Sequence, residues 1–290
     1  MSKQWTIIGE RINPGFKSTR ALFETKDIAG IQALAVKQAE AGARYLNVNT
    51  GMAGEKDHGF ARAVVEGIQQ VVTVPLSFDS ASVALQTVYL STYDADRAGG
   101  AKPMINSIAE THLGMLELLA IRPCKIIIMA SERLENGAGR RNTKADEVAA
   151  AARRMVEHTD RASIPHEDIV IDVSISAMAA DSEGLTRMAL DAIRVIGGDP
   201  GLEGVHITGG LSNIGQQLPA KAANGADLKH TLECAFLTLA TPLGFDTILG
   251  TPWKDYHFLP DDDYVMGVFR DVLDRSGLDA LRQVRRLYKA

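Results

Sequence analysis

Only two cysteines, Cys124 and Cys234, occur in the 290 residues. That is too few for a disulfide framework or a thiolate metal cage, and both are expected to be inert packing thiols. The histidines, at 58, 112, 158, 166, 206, 230 and 257, form no HExxH motif and no pair four apart. No metal site is expected from them. Apolar runs are short; residues 126–130 fall far below the roughly 20 needed to cross a bilayer. Basic residues are not in excess, with 31 Lys+Arg against 36 Asp+Glu, a net charge of −5 and a pI near 5.8. That balance argues against a nucleic-acid or anionic membrane partner. Met1 leads through polar residues into a strand, so no cleaved secretory leader is expected and the cytoplasm is the expected compartment.

What the chain does have is a globular composition, 46% apolar and 23% charged, and a repeated beat of strand and helix. Strands are predicted at 7–8, 45–48, 74–78, 103–106, 125–129, 168–172, 204–208 and 246–249. Helices are predicted at 28–41, 60–72, 83–90, 109–120, 145–160, 184–196, 228–240 and 261–275, followed by a basic helical tail at 277–289. In the first of these, Ile31, Leu34, Ala35 and Ala39 share a face, the spacing of a core-facing stripe. Ser107 and Glu110 have the spacing of a capping box for the helix at 109–120. Eight strand–helix pairs without a break in composition predict a single-domain (β/α)8 TIM barrel over 1–290, with a helical extension from about 253. The competing open doubly wound sheet would carry a GxGxxG turn after its first strand. Gly9-Glu10-Arg11-Ile12-Asn13-Pro14-Gly15 stands there instead.

In such barrels the loops after the strands converge on one mouth, so the residues at strand ends carry the chemistry. Here they are Glu10, Arg11 and Asn13, then Asn47 and Asn49, Asp79-Ser80, Asn106-Ser107 and Asp172. The seventh strand runs into Thr208-Gly209-Gly210-Leu211-Ser212-Asn213-Ile214-Gly215-Gln216. A single Asp or Asn after a strand commonly caps a helix or holds a turn; Asp79 and Asn213 are open to that reading. The recurrence of both types after five strands points instead to a shared site. Carboxylates that accept paired N–H bonds, and amides that both donate and accept, suit the edge of a flat heterocycle.

These motifs resemble the pterin-binding barrel methyltransferases, which pair methyltetrahydrofolate with a corrinoid protein and include the folate domain of cobalamin-dependent methionine synthase. The resemblance covers residues 8 to about 250. It rests on Ile8-Gly9-Glu10-Arg11-Ile12-Asn13, Gly42-Ala43-Arg44 with Leu46-Asn47-Val48-Asn49, and Phe78-Asp79-Ser80. Met104-Ile105-Asn106-Ser107, Ile171-Asp172 and Gly210-Leu211-Ser212-Asn213 complete it. It implies that Asp79, Asn106 and Asp172 hold the pterin, with Glu10 contributing, and that Asn213 assists at N5. Ser212 and Gln216 lie in the same loop, and Lys221 falls near a family arginine. Tetrahydrofolate or 5-methyltetrahydrofolate is then the small-molecule substrate. The cobalamin-type corrinoid is supplied by a transient partner protein, and a homodimer is a further implication of the resemblance.

Asn47 departs from the family's usual Asp, and Val173-Ser174 from its Pro-Leu. Dihydropteroate synthase shares the barrel and pterin pocket, but its opening Asn-Val-Thr-Pro-Asp-Ser-Phe, late Ser-Arg-Lys and final Arg-x-His are absent. Asn13-Pro14-Gly15-Phe16, Gly210-Leu211-Ser212-Asn213 and Gly250-Thr251-Pro252-Trp253 occupy those places. A non-catalytic folate- or corrinoid-protein-binding module is the alternative from another class. If Asp172 accepts two N–H bonds, its ionised form is favoured and binding is expected to persist well below neutrality. Asn136-Gly137-Ala138-Gly139-Arg140-Arg141 reads as a flexible loop, or as a place where Arg140 and Arg141 meet the folate tail or the partner.

Overall fold

The computed structural model describes residues 5–289. Its elements begin with β1 (Thr6–Ile12), α1 (Arg20–Glu24), α2 (Ile28–Glu40), β2 (Tyr45–Val48), α3 (Gly51–Lys56) and α4 (His58–Val71). Next come β3 (Leu76–Asp79), α5 (Val83–Thr92), β4 (Met104–Ile108) and β5 (Lys125–Met129). A hairpin of β6 (Glu132–Glu135) and β7 (Ala138–Arg141) precedes α6 (Ala145–Arg161), β8 (Ile169–Asp172), α7 (Leu185–Gly197) and β9 (His206–Thr208). The chain ends with α8 (Leu228–Ala240), β10 (Thr247–Gly250), α9 (Tyr264–Leu273) and α10 (Gly277–Arg286).

Five helices start where a short polar side chain replaces a missing backbone partner. Asp27, Asp57, Ser82, Asp227 and Asp263 accept from the N–H groups of Gly30, Phe60, Leu85, His230 and Met266. Eight strands pair in parallel in the order β10-β1-β2-β3-β4-β5-β8-β9. The ends meet where Gly210 bridges to Leu249 and the Asp246 N–H donates to the Ile207 carbonyl at 3.3 Å. The chain is thus a (β/α)8 barrel. A small inner cluster of Ile8, Met104, Ile127 and Val170, with Tyr45 and Leu249 against it, plugs the barrel's interior. The larger core lies between the strands and the surrounding helices.

Two local expectations fail. Residues 110–120 form a 3₁₀ segment broken at His112 (φ −135°, ψ 35°), and Ser107 belongs to β4. The capping box therefore does not form. Glu110 instead accepts from the Leu134 N–H at 2.9 Å and pairs with Arg154 at 2.6 Å, anchoring the hairpin. The glycine-rich stretch is ordered as β7 of that hairpin, with Asn136 (φ 52°) and Gly137 (φ 78°) making its left-handed turn. Both outcomes depend on partners far along the chain, which local spacing does not register.

Candidate active site

Side chains alternate across a strand, so the residue two places beyond an inward-facing one also faces inward. From the inner plug this rule carries Ile8 to Glu10, Tyr45 to Asn47, Met104 to Asn106, Val170 to Asp172 and Leu249 to Thr251. On β3 it carries Ser77, paired in register with Asn47, to Asp79, paired with Asn106. Only β5 continues with an apolar residue, Met129, after Ile127. The strand-end polar residues therefore form one ring, a layer above the plug, at the C-terminal mouth.

Hydrogen bonds tie the ring together. Asn47 donates through Nδ2 to Asp79 at 3.0 Å, and its Oδ1 accepts from Asn106 Nδ2 at 3.1 Å and from Ser77 Oγ at 3.2 Å. An aspartate at position 47 would set a second carboxylate against Asp79; the amide removes that repulsion. Asp79 does not cap α5, because Ser82 does. Across the mouth, buried Glu10 accepts from Ser212 Oγ and Thr251 Oγ1, each at 2.8 Å, joining β1 to the loops after β9 and β10. Asn213 lies in the 3₁₀ turn Leu211–Gly215, and its Oδ1 accepts from Gln216 Nε2 at 2.6 Å. A Cβ on Gly210 would lie 2.7 Å from Asn213 Nδ2, so glycine leaves the room this amide occupies.

Above the ring opens a cavity of about 940 Å³, lined by Glu10, Asn47, Asp79, Ser212, Asn213 and Gln216 among others. Basic Arg11, Lys17, Lys229 and Lys254 also line it. Asn106 joins through Asn47, and Asp172 lies near enough to Asp79 for their charges to interact. Both stand in the same strand-end ring as Asp79. Lys221 is exposed and away from the cavity; its segment bridges to Asp227. Lys229, in the first turn of α8, supplies the cation on that side, a residue that sequence reasoning passed over because it follows a long loop. Lys254 was missed likewise; it donates to both oxygens of buried Glu233, at 2.5 and 2.7 Å. A 570 Å³ hollow at the opposite end, lined by Tyr93, Asp94, Lys102 and Arg122, meets none of the ring.

Burial dominates the ring's electrostatics. It pushes the Asp172 carboxyl up to about 6, against one bond from the Ser174 N–H (2.7 Å) and with help from the Asp79 charge. Ser174 sits at φ 57°, the left-handed turn that directs its N–H back to Asp172. Asp79 and Glu10 are raised by the same cause, opposed by their amide and hydroxyl donors. The expected low carboxyl range supposes two N–H donors; in the free protein Asp172 has one, from Ser174. One donor does not offset the lost hydration.

Fold and site define a class: a barrel whose mouth gathers acids and amides in one ring above an apolar plug. The family model for pterin-binding enzymes matches residues 10–249, and the chain belongs to that family. A curated relative, the methylcorrinoid:tetrahydrofolate methyltransferase of Eubacterium limosum, is 27% identical over 253 residues, covering 85% of this chain and 84% of that one. Among solved structures, dihydropteroate synthase of Thermus thermophilus superposes with a TM-score of 0.58 at 18% identity, covering 93% and 92% of the two chains. That of Xanthomonas albilineans gives 0.53 at 18%, covering 93% and 94%. These two share the fold. Among the described residues no helix is long and apolar enough to cross a membrane.

Proposed function

We propose that the protein is a methyltransferase that moves a methyl group between N5 of tetrahydrofolate and the cobalt of a separate corrinoid protein. The observation that carries this is the ring of Glu10, Asn47, Asp79, Asn106 and Asp172 beneath the Asn213 turn, together with the named relative. In this reading Asp79, Asn106 and Asp172 bind the pterin by its N–H-rich edge. The cations at the rim face the substrate's acidic tail, with Lys229 in the part first given to Lys221. The relative's name runs from methylcorrinoid to tetrahydrofolate, and we take that direction as forward. N5 attacks the methyl carbon, the cobalt–carbon electron pair stays on cobalt, and the N5 proton passes to solvent. Charge develops on N5 as its new bond forms, and the Asn213 amide oxygen accepts from the increasingly acidic N5–H. Gln216 orients that amide beforehand.

Mixing the protein anaerobically with tetrahydrofolate and a methylated corrinoid protein should convert the methyl-cobalt spectrum to that of reduced cobalt. One 5-methyltetrahydrofolate should appear per cobalt. Folate binding without any spectral change would mark a binding module, and release of pyrophosphate from a pterin pyrophosphate would mark the synthase reaction.

A further inference from the structure

The first two turns of α8 carry a feature outside the pterin site. His230 and Cys234 are four residues apart and therefore share one helix face. The loop after β10 brings His257 onto that face. Cys234 Sγ lies 3.8 Å from His230 Nε2 and 3.9 Å from His257 Nδ1, and the three potential ligand atoms all fall within 4.8 Å of one another. Around a tetrahedral cation with Zn–S of about 2.3 Å and Zn–N of about 2.0–2.1 Å, sulfur and nitrogen ligands stand about 3.5 Å apart. The two sulfur–nitrogen separations need to contract by only a few tenths of an ångström, and the two imidazole nitrogens close up by rotation of the exposed His257 side chain.

The histidines differ in how far they are already committed. His206 Nδ1 is held by Asp246 at 2.8 Å, and His166 by Asp160 and the Glu203 carbonyl. His230 Nε2 makes the long contact with Cys234, and its other nitrogen, Nδ1, is buried without a hydrogen-bond partner among the described residues. His257 Nδ1 donates to the Asp255 carbonyl at 2.7 Å. That bond can be exchanged for a cation by moving the ring proton to Nε2.

We propose that His230, Cys234 and His257 bind one divalent cation of the zinc type at the seam between α8 and the loop after β10. One thiolate and two imidazoles are borderline-soft ligands suited to that ion. Binding displaces the Cys234 thiol proton to solvent. His257 is exposed, so the fourth position opens toward water. The loop so pinned carries Trp253 and Lys254, which line the pterin cavity. It is already tied to α8 by the Lys254–Glu233 pair and by Leu259 N–H donating to Thr238 Oγ1 at 2.9 Å. The cation acts as a further clip, holding the cavity wall without taking part in the chemistry.

Protein stripped with a chelator and titrated with Co²⁺ under reducing conditions, with no corrinoid present, tests this directly. One equivalent should develop a thiolate-to-cobalt charge-transfer band with the intense visible bands of four-coordinate cobalt, and Zn²⁺ should bleach both. Cys234→Ser should abolish the charge-transfer band, whereas Cys124→Ser, altering the thiol at the foot of β5, should leave it. His230→Gln and His257→Gln should each weaken binding about tenfold or more. Zn²⁺ should raise the melting temperature of the wild type and not that of Cys234→Ser. A wild-type titration without a saturable band at one equivalent overturns the proposal without recourse to any variant. So does a band that survives Cys234→Ser or ignores both histidine changes.

Discussion

In the proposed mechanism Asn213 and Asp172 do different work, and single substitutions should separate them. Asn213 meets the reacting nitrogen in the proposed mechanism, so its loss should fall on the transition state. Asn213→Ala is expected to lower kcat by roughly 10- to 1000-fold, the range for losing one oriented hydrogen-bonding group, while KM for folate moves a few-fold at most. A large KM change with kcat intact would place the residue in binding alone. Asp172 has a folded pKa raised from 3.8 to about 6. Its stabilising contribution is therefore complete below 3.8 and lost as pH rises through 6; above that the ionised group costs about 2–3 kcal/mol. Asp172→Asn keeps an oxygen for the Ser174 N–H, so at pH 7.5 it should melt at a higher temperature than wild type, with the difference vanishing near pH 4. The same change should destroy pterin affinity by turning an acceptor into a donor. In the wild type, ring binding that requires the carboxylate should weaken about tenfold per pH unit below 6. Calorimetric titration at pH 5, 6 and 7 reads this slope, and a flat profile would show that the carboxylate is not required.

At the scale of elements, the strand–helix beat was legible because burial on both faces leaves a nearly unbroken apolar signature, as in Ile126, Ile127 and Ile128 of β5. Even the polar residues of the ring could be read as a set, since each stands at a strand's C-terminal end, where a barrel gathers them at one mouth. The Glu110 segment and the β6–β7 hairpin could not, because Glu110 is satisfied by Leu134 and Arg154, 24 and 44 residues away. The sequence places only His230 and Cys234 on one face of α8, and His257 joins them through the return of the chain after β10. Helix packing also sets limits that composition hides. Gly197 ends α7, and a Cβ there would overlap the Leu243 carbonyl oxygen, a main-chain atom that cannot swing aside. Gly197→Ala should cost about 2–3 kcal/mol, seen as a lower urea midpoint with an unchanged slope.

Across the whole molecule, α10 connects parts of the mouth that lie far apart in sequence. Its Gly277 N–H donates to the Ser182 carbonyl, and Leu287 accepts from Ala223, both at 2.8 Å. Ala280, Val284 and Leu287 bury one side, while Arg282 and Arg286 pair outward with Asp279 and Asp271. The basic tail is therefore a strap over the loops after β8 and β9. Leu287→Ala should destabilise the fold by about 2–4 kcal/mol and raise KM for folate, because the loop that carries Asn213 loses its backing; unchanged KM would confine the strap to stability. The sequence by itself determined the barrel and the residues at its mouth, because strand periodicity and strand-end position are local properties that a closed parallel sheet translates directly into place. The burial of Asp172, the place of Lys229 rather than Lys221 beside the cavity and the meeting of His257 with α8 were decided only by the tertiary structure. Desolvation and proximity arise from segments brought together when the chain closes on itself.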